Sequence, residues 1–158
     1  MKHTLSVLVE NKPGVLARVA ELFSRRGFNI ESLAVGTTQK PDISRMTIVV
    51  DIEEHSLEQV RKQLHKLVNV IEIVELDPES SVSREMVMVK IKVDSDNRSE
   101  VIEIADIFRG NIVDVSKDSI IVEVTGNAQK LRAFEDLVKP YGIRELVRTG
   151  KVALPRGK

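Results

Sequence analysis

The chain has 158 residues, 42% hydrophobic but only 3% aromatic, so valine, isoleucine and leucine must fill one core or two small ones. Its 24 basic and 24 acidic residues balance and interleave, which leaves no electrostatic footprint for nucleic acid or anionic lipid. The lack of cysteine excludes disulfides, thiolate catalysis and thiolate metal sites; with no apolar run near the ~18–20 residues of a membrane span and no signal-peptide pattern, the expectation is a cytoplasmic protein.

Leu5, Val7 and Val9 alternate with Thr4, Ser6 and Leu8, the period of a strand with one buried face. After the turn Asn11-Lys12-Pro13-Gly14, residues Val15, Leu16, Val19, Ala20, Leu22 and Phe23 fall at helical spacing, with Pro13 expected in the first helical turn. Arg26-Gly27 reads as a helix stop, and Phe28 to Gly36 as a second strand. A turn at Gln39 to Asp42 precedes a third strand carrying Met46, Ile48, Val50 and Ile52. A second helix is expected to start at Ser56, with Gln59 completing a capping box, and to end at Asn69. Val70 to Leu76 closes the unit, and its order is βαββαβ.

The pattern then recurs at a period of about 80 residues. Val87, Val89, Ile91 and Val93 form a strand; Val101, Ile104, Ala105 and Phe108 a helical stripe; Ile112–Val115 and Ile120–Val124 a hairpin. Asn127 is a suitable N-cap for a helix with Leu131, Phe134, Leu137 and Val138, and Ile143 to Val147 is a last strand. The expected fold class is α+β: two ferredoxin-like βαββαβ domains at residues 1–77 and 84–150, a polar linker at 78–83 and a mobile tail at 151–158. Right-handed crossovers put both helices of such a unit on one face of its sheet. The other face and the sheet edges then need a cover, and a homodimer is the simplest one.

The turn at residues 11–15 is the candidate ligand site. Gly14 lets a ligand approach the backbone, and a helix N-terminus with free amides at Gly14 and Val15 favours a small carboxylate. The same residues also make good turn-and-cap chemistry without any ligand. The corresponding turn of the second unit, Asp94-Ser95-Asp96-Asn97-Arg98-Ser99, has no Pro-Gly, and no site is expected there. If two first units pair, Asn29 and Ile30 of one approach Asn11 and Gly14 of the other.

Enzyme constellations are missing. His3, His55 and His65 form no metal-binding spacing and read as surface or capping residues, and no G-x-S-x-G, Walker or G-x-G-x-x-G motif occurs. The same fold serves RNA-binding modules and metal chaperones. The central strands carry Ser6-Val7-Leu8 and Thr47-Ile48-Val49 instead of base-stacking aromatics, and the first loop has no Cys-x-x-Cys. No catalytic, cofactor-binding or metal-binding residue is therefore assigned.

Three blocks, Glu10-Asn11-Lys12-Pro13-Gly14-Val15-Leu16-Ala17-Arg18-Val19, Phe23 to Leu33 and Ser44-Arg45-Met46-Thr47-Ile48, closely resemble the regulatory small subunits of acetolactate synthase, also called acetohydroxyacid synthase. The likeness continues through Gln63 to Leu67, Ser83 to Met86 and Phe108-Arg109-Gly110; Asn-x-x-Gly followed by Gly-x-Asn-Ile is the general signature of ACT domains. The resemblance implies an N-terminal ACT domain, a C-terminal ACT-like domain and a dimer. It implies as partner a large catalytic subunit that holds thiamine diphosphate, magnesium and FAD, with no cofactor in the small subunit itself. It further implies activation of that partner and feedback inhibition by a branched-chain amino acid, most often valine, in valine, leucine and isoleucine biosynthesis. On this chain the effector residues would be Asn11, Gly14 and Val15 of one protomer with Asn29 and Ile30 of its neighbour. The alternative is a free-standing ACT-domain sensor of a branched-chain amino acid that acts on another target.

Overall fold

The computed structural model describes residues 1–157, which fall into two compact units: Met1–Val82 together with the chain from Gly150 onward, and Ser83–Thr149. The first contains β1 (Lys2–Glu10), α1 (Val15–Arg25), β2 (Ile30–Thr37), β3 (Ile43–Asp51), α2 (Glu54–His65) and β4 (Val70–Leu76), and its sheet order is β2-β3-β1-β4. Every neighbouring pair is antiparallel. Strand period decides the layers: Leu5, Val7 and Val9 of β1 and Met46, Ile48 and Val50 of β3 share one face. They pack there against Val15, Val19 and Phe23 of α1 and Leu57, Val60 and Leu64 of α2. Both helices thus cover one side, as the chirality of the crossovers requires.

The helix ends differ from the sequence reading in three places, one of them the end of α2, which stops at His65 with Lys66 as its C-cap and short of Asn69. Pro13 lies before the helix, because Gly14 itself is the N-cap of α1 with φ 84° and ψ −8°. Likewise α2 begins at Glu54 with Glu53 as cap, so Ser56 lies inside the first turn; the Glu53 carbonyl already accepts from Leu57 N–H at 3.0 Å. Helical hydrogen bonding started by the backbone overrides a favourable capping residue further on. At the other end of α1, Gly27 takes φ 72°, its N–H bonds the Ser24 carbonyl at 3.0 Å, and Phe28 N–H bonds the Phe23 carbonyl at 3.0 Å. That is a Schellman ending, and it turns the chain into β2.

The second unit holds β5 (Ser81–Lys92, its first two residues in the first unit), α3 (Arg98–Ile107), β6 (Asn111–Val115), β7 (Ser119–Gly126), α4 (Ala128–Val138), a 3₁₀ turn (Lys139–Tyr141) and β8 (Ile143–Arg148). Its path of strands is β6-β7-β5-β8. Val87, Val89 and Ile91 meet Ile120, Val122 and Val124 beneath Val101, Ala105, Leu131 and Phe134. Phe108 meets Phe134 edge to face at 5.5 Å, a favourable arrangement of ring quadrupoles. Asn127 caps α4, its Oδ1 accepting from Lys130 N–H at 2.8 Å. Both units are βαββαβ, and the fold class is α+β with ferredoxin-like topology.

The stretch from Lys151, expected as a tail, is not free; Lys158 lies outside the described residues. Val152–Pro155 forms a strand, β9, which pairs with β5, and Arg156 N–H donates to the Ser80 carbonyl at 2.7 Å. Lys151 N–H donates to Ser32 Oγ on β2 at 2.7 Å, while β9 approaches β4. Ser32 pairs with Val49 and so projects from the face away from the helices. Since β3 and β1 lie between β2 and β4, the segment crosses that face as a strap. Ala153 is buried, and so are Ser6, Thr47 and Val49. The helix-free face is therefore partly covered within a single chain.

Candidate functional site

The turn between β1 and α1 is held from both sides. On one, Glu10 N–H donates to the Asn69 carbonyl at 2.9 Å, Asn69 Nδ2 donates to Glu10 Oε1 at 3.3 Å, and Arg18 Nη1 donates to Asn69 Oδ1 at 2.6 Å. Lys12 Nζ lies 2.7 Å from Glu10 Oε2 and holds that carboxyl below the usual carboxylate range. On the other side, Asn11 N–H donates to the Asp42 carbonyl at 2.8 Å, and Asn11 Nδ2 donates to the Pro41 carbonyl at 3.0 Å. Thr38 closes the loop carrying those carbonyls, donating to Ile43 O at 3.0 Å and accepting from Lys40 N–H at 3.2 Å. A turn anchored in this way is pre-ordered, which lowers the ordering cost of any contact made to it.

Gly14 is the feature that leaves the turn open. Its backbone is left-handed, no side chain caps the helix, and a Cβ placed on Gly14 meets nothing within 4 Å. Gly14 N–H has no acceptor among the described residues, whereas Val15 N–H points at the Lys12 carbonyl over a long 3.4 Å. Val15's side chain is buried in the core, so only its backbone can serve a ligand. No acidic residue occupies the first turn. Open donors at the positive end of a helix favour a carboxylate there by about 0.3–1 kcal/mol, and up to ~2 kcal/mol when partly buried. In the second unit the equivalent turn is filled from within: Asp94 Oδ1 accepts from the amides of Asp96 and Asn97, each at 2.9 Å.

Asn29 and Ile30 stand elsewhere. Ile30 pairs with Val50, and Val50 with His3, whereas Asn11 follows Glu10, which pairs with Ile43. From His3 to Asn11 is eight steps along the strand, roughly 27 Å. One chain thus keeps the two residue groups at opposite ends of its sheet. Asn29 is exposed, Ile30 is half-buried, and the β2–β3 register breaks between Ile30 and Ser32.

His3, expected at the surface, is buried with 4% of its area exposed. Its Nδ1 lies 2.9 Å from Glu75 Oε2, and Nε2 lies 3.7 Å from Glu54 Oε2. His3, the second residue of β1, shares the face of Leu5 and Val7, and this parity was the available signal. Among the described residues no group of three or more histidines and carboxylates is placed to hold a metal, and no helix is long and apolar enough to cross a membrane.

Comparison with known proteins covers both units. A family model described as "AHAS small subunit-like ACT domain" matches residues 5–72, and one described as "Small subunit of acetolactate synthase" matches residues 84–157. The acetolactate synthase small subunit of Mycobacterium bovis is 61% identical over 155 residues, covering 98% of this chain and 92% of that protein. The probable acetolactate synthase small subunit of Archaeoglobus fulgidus is 59% identical over 157 residues, covering 99% and 98%. Among solved structures, the acetolactate synthase small subunit from Thermotoga maritima superimposes with a TM-score of 0.95 at 42% identity, over 100% of this chain and 99% of that one.

Proposed function

Because this chain belongs to the family of acetolactate synthase small subunits, we propose that it activates a separate catalytic subunit and makes that subunit sensitive to a branched-chain amino acid, valine first. The carbon–carbon chemistry and its cofactors (thiamine diphosphate, magnesium and FAD) belong to the partner. This chain supplies the sensor.

The observation that carries the sensing role is the open, uncapped turn at Gly14 together with the separation of its expected co-residues. The valine carboxylate accepts from the amides of Gly14 and Val15, the latter engaged only by the long 3.4 Å contact with the Lys12 carbonyl. Asn11 keeps one amide hydrogen on Pro41 and offers Oδ1 and the other hydrogen to the ammonium and carboxylate groups. β2 is an edge strand, with Val35 45% exposed. Pairing it antiparallel with β2 of a second copy sets the Ile30 end of one protomer beside the Thr37 end of the other, level with Asn11. A two-fold dimer therefore completes two identical sites, each with Asn29 and Ile30 contributed in trans.

Regulation follows from differential binding. Valine stabilises one arrangement of the dimer, and that arrangement supports the catalytic partner less well. Linkage then requires the engaged partner to weaken valine binding by the same factor. The test is acetolactate formation by the cognate catalytic subunit with and without this protein, across a valine titration. Stimulation that valine reverses supports the proposal. A protein that binds valine but leaves acetolactate formation unchanged is a sensor for some other target, and the proposal fails.

A further inference from the structure

β2 is held by the sheet from one side at the point where most is asked of it. It lies at the sheet edge, so among the described residues β3 is its one neighbour in the sheet, and that ladder is interrupted at Glu31, directly after Ile30. A bulge re-aims the side chains beside it and leaves a residue unpaired, so the direction of Asn29 and Ile30 depends on what fixes the bulge. Two contacts do so. Glu31 lies 3.1 Å from Lys2 Nζ on β1, an exposed ion pair of small worth. Ser32 Oγ accepts from Lys151 N–H of the strap at 2.7 Å in a partly buried setting.

The strap is seated for this contact. Gly150 rests on the backbone of β2, where an added Cβ would overlap the Leu33 carbonyl and lie 3.1 Å from Ala34 N. Its glycine is required by close approach. Beyond Lys151 the segment is pinned by burial of Ala153 and by Arg156 N–H on the Ser80 carbonyl at 2.7 Å. The latch thus joins residues 119 positions apart, and it is reached by the chain directly after Thr149, where the second unit ends.

We infer that the C-terminal strap is a positioning element for the effector site, with Gly150 and the Lys151–Ser32 latch holding the β2 bulge so that Asn29 and Ile30 face the neighbouring protomer in the binding-competent direction. It rests on the assignment of Asn29 and Ile30 to that site. Loss of the latch lowers the fraction of protein in the competent arrangement, and apparent valine affinity falls by that fraction.

Valine binding is measured by calorimetry on the full-length chain, at a temperature well below each variant's melting point, with the dimer checked by sedimentation. Ser32→Ala removes one hydrogen bond and is expected to raise the valine Kd roughly 2- to 10-fold. Ser32→Thr keeps the hydroxyl and is expected to bind within about twofold of wild type, the span of a few tenths of a kcal/mol. Gly150→Val displaces the strap from an immovable backbone and is expected to raise Kd by about tenfold or more. Valine affinity unchanged in both Ser32→Ala and Gly150→Val, with only the melting temperature lowered, overturns the proposal and leaves the strap as a cover for the sheet. An Asn29→Ala protein that binds valine like wild type overturns instead the site assignment on which the proposal rests.

Discussion

Gly14→Asp puts a carboxylate in the space that the open turn leaves for the effector's own. Aspartate tolerates a left-handed backbone better than most residues, so φ 84° at this position costs folding only about 1 kcal/mol. The new side chain enters unoccupied space, with nothing within 4 Å of its Cβ. The fold therefore survives and the ligand suffers. Two carboxylates about 4 Å apart near a protein surface repel by roughly 4 kcal/mol at an effective dielectric constant of ~20. At about 1.4 kcal/mol per decade, that alone weakens binding near a thousandfold. Acetolactate formation by the reconstituted enzyme, titrated with valine, is the assay; the expected result is full stimulation by the variant with no inhibition in the range that stops wild type. Gly14→Ala serves as the control for backbone strain, because it carries the conformational cost without the charge. A Gly14→Asp subunit still inhibited at a valine concentration within about threefold of wild type, well under the decade set by 1.4 kcal/mol, would refute the placement of the carboxylate.

If the site is shared across a two-fold axis, Asn11→Ala and Asn29→Ala each lose valine binding as homodimers, yet subunit exchange between them restores it. Half of the mixed population is heterodimeric and each heterodimer holds one intact site, so calorimetry should recover about a quarter of the wild-type sites; no recovery would mean a site built within one chain. Phe23→Ala empties the largest buried position of the first core and is expected to lower stability by about 3–5 kcal/mol in urea unfolding, whereas a loss under 1 kcal/mol would mean that α1 is not packed as described. Acid should destabilise the protein through Glu10, Asp118 and Glu145, whose pKa values are lowered chiefly by the hydrogen bonds and charges of Lys12, Arg144 and Lys90 respectively. Their folded pKa values lie below the unfolded ones, so the stabilisation is complete above the ordinary carboxylate range near ~4 and is lost as pH falls below that range through the lowered folded values. A urea midpoint that stays constant from neutral pH to below that range would contradict those pairings.

The amino-acid sequence alone determined the parts of this protein that local chemistry sets. Alternation at Leu5, Val7 and Val9 and helical spacing from Val15 to Phe23 define a strand and a helix with matching apolar faces, because a side chain's face follows from backbone period. Gly14 and Gly27 take left-handed conformations that a side chain would resist, so the open turn and the helix stop could be read from the glycines and their neighbours. Asn127 caps its helix three residues away, and the repeated βαββαβ order needs only those local signals.

Tertiary structure decided whatever depends on residues distant in sequence. Glu53 rather than Ser56 opens α2, since hydrogen bonding of the whole first turn outweighs one hydroxyl. His3 is buried because Glu54 and Glu75 close over it from α2 and β4. Asn69 reads as a helix stop, yet it joins Glu10 to Arg18 across 59 and 51 positions. The distance between Asn11 and Asn29 follows from strand register, and the stretch from Gly150 becomes a strap because β2 offers Ser32 and the backbone at Leu33. Periodicity specifies which face a residue shows; only the assembled sheet specifies what meets that face.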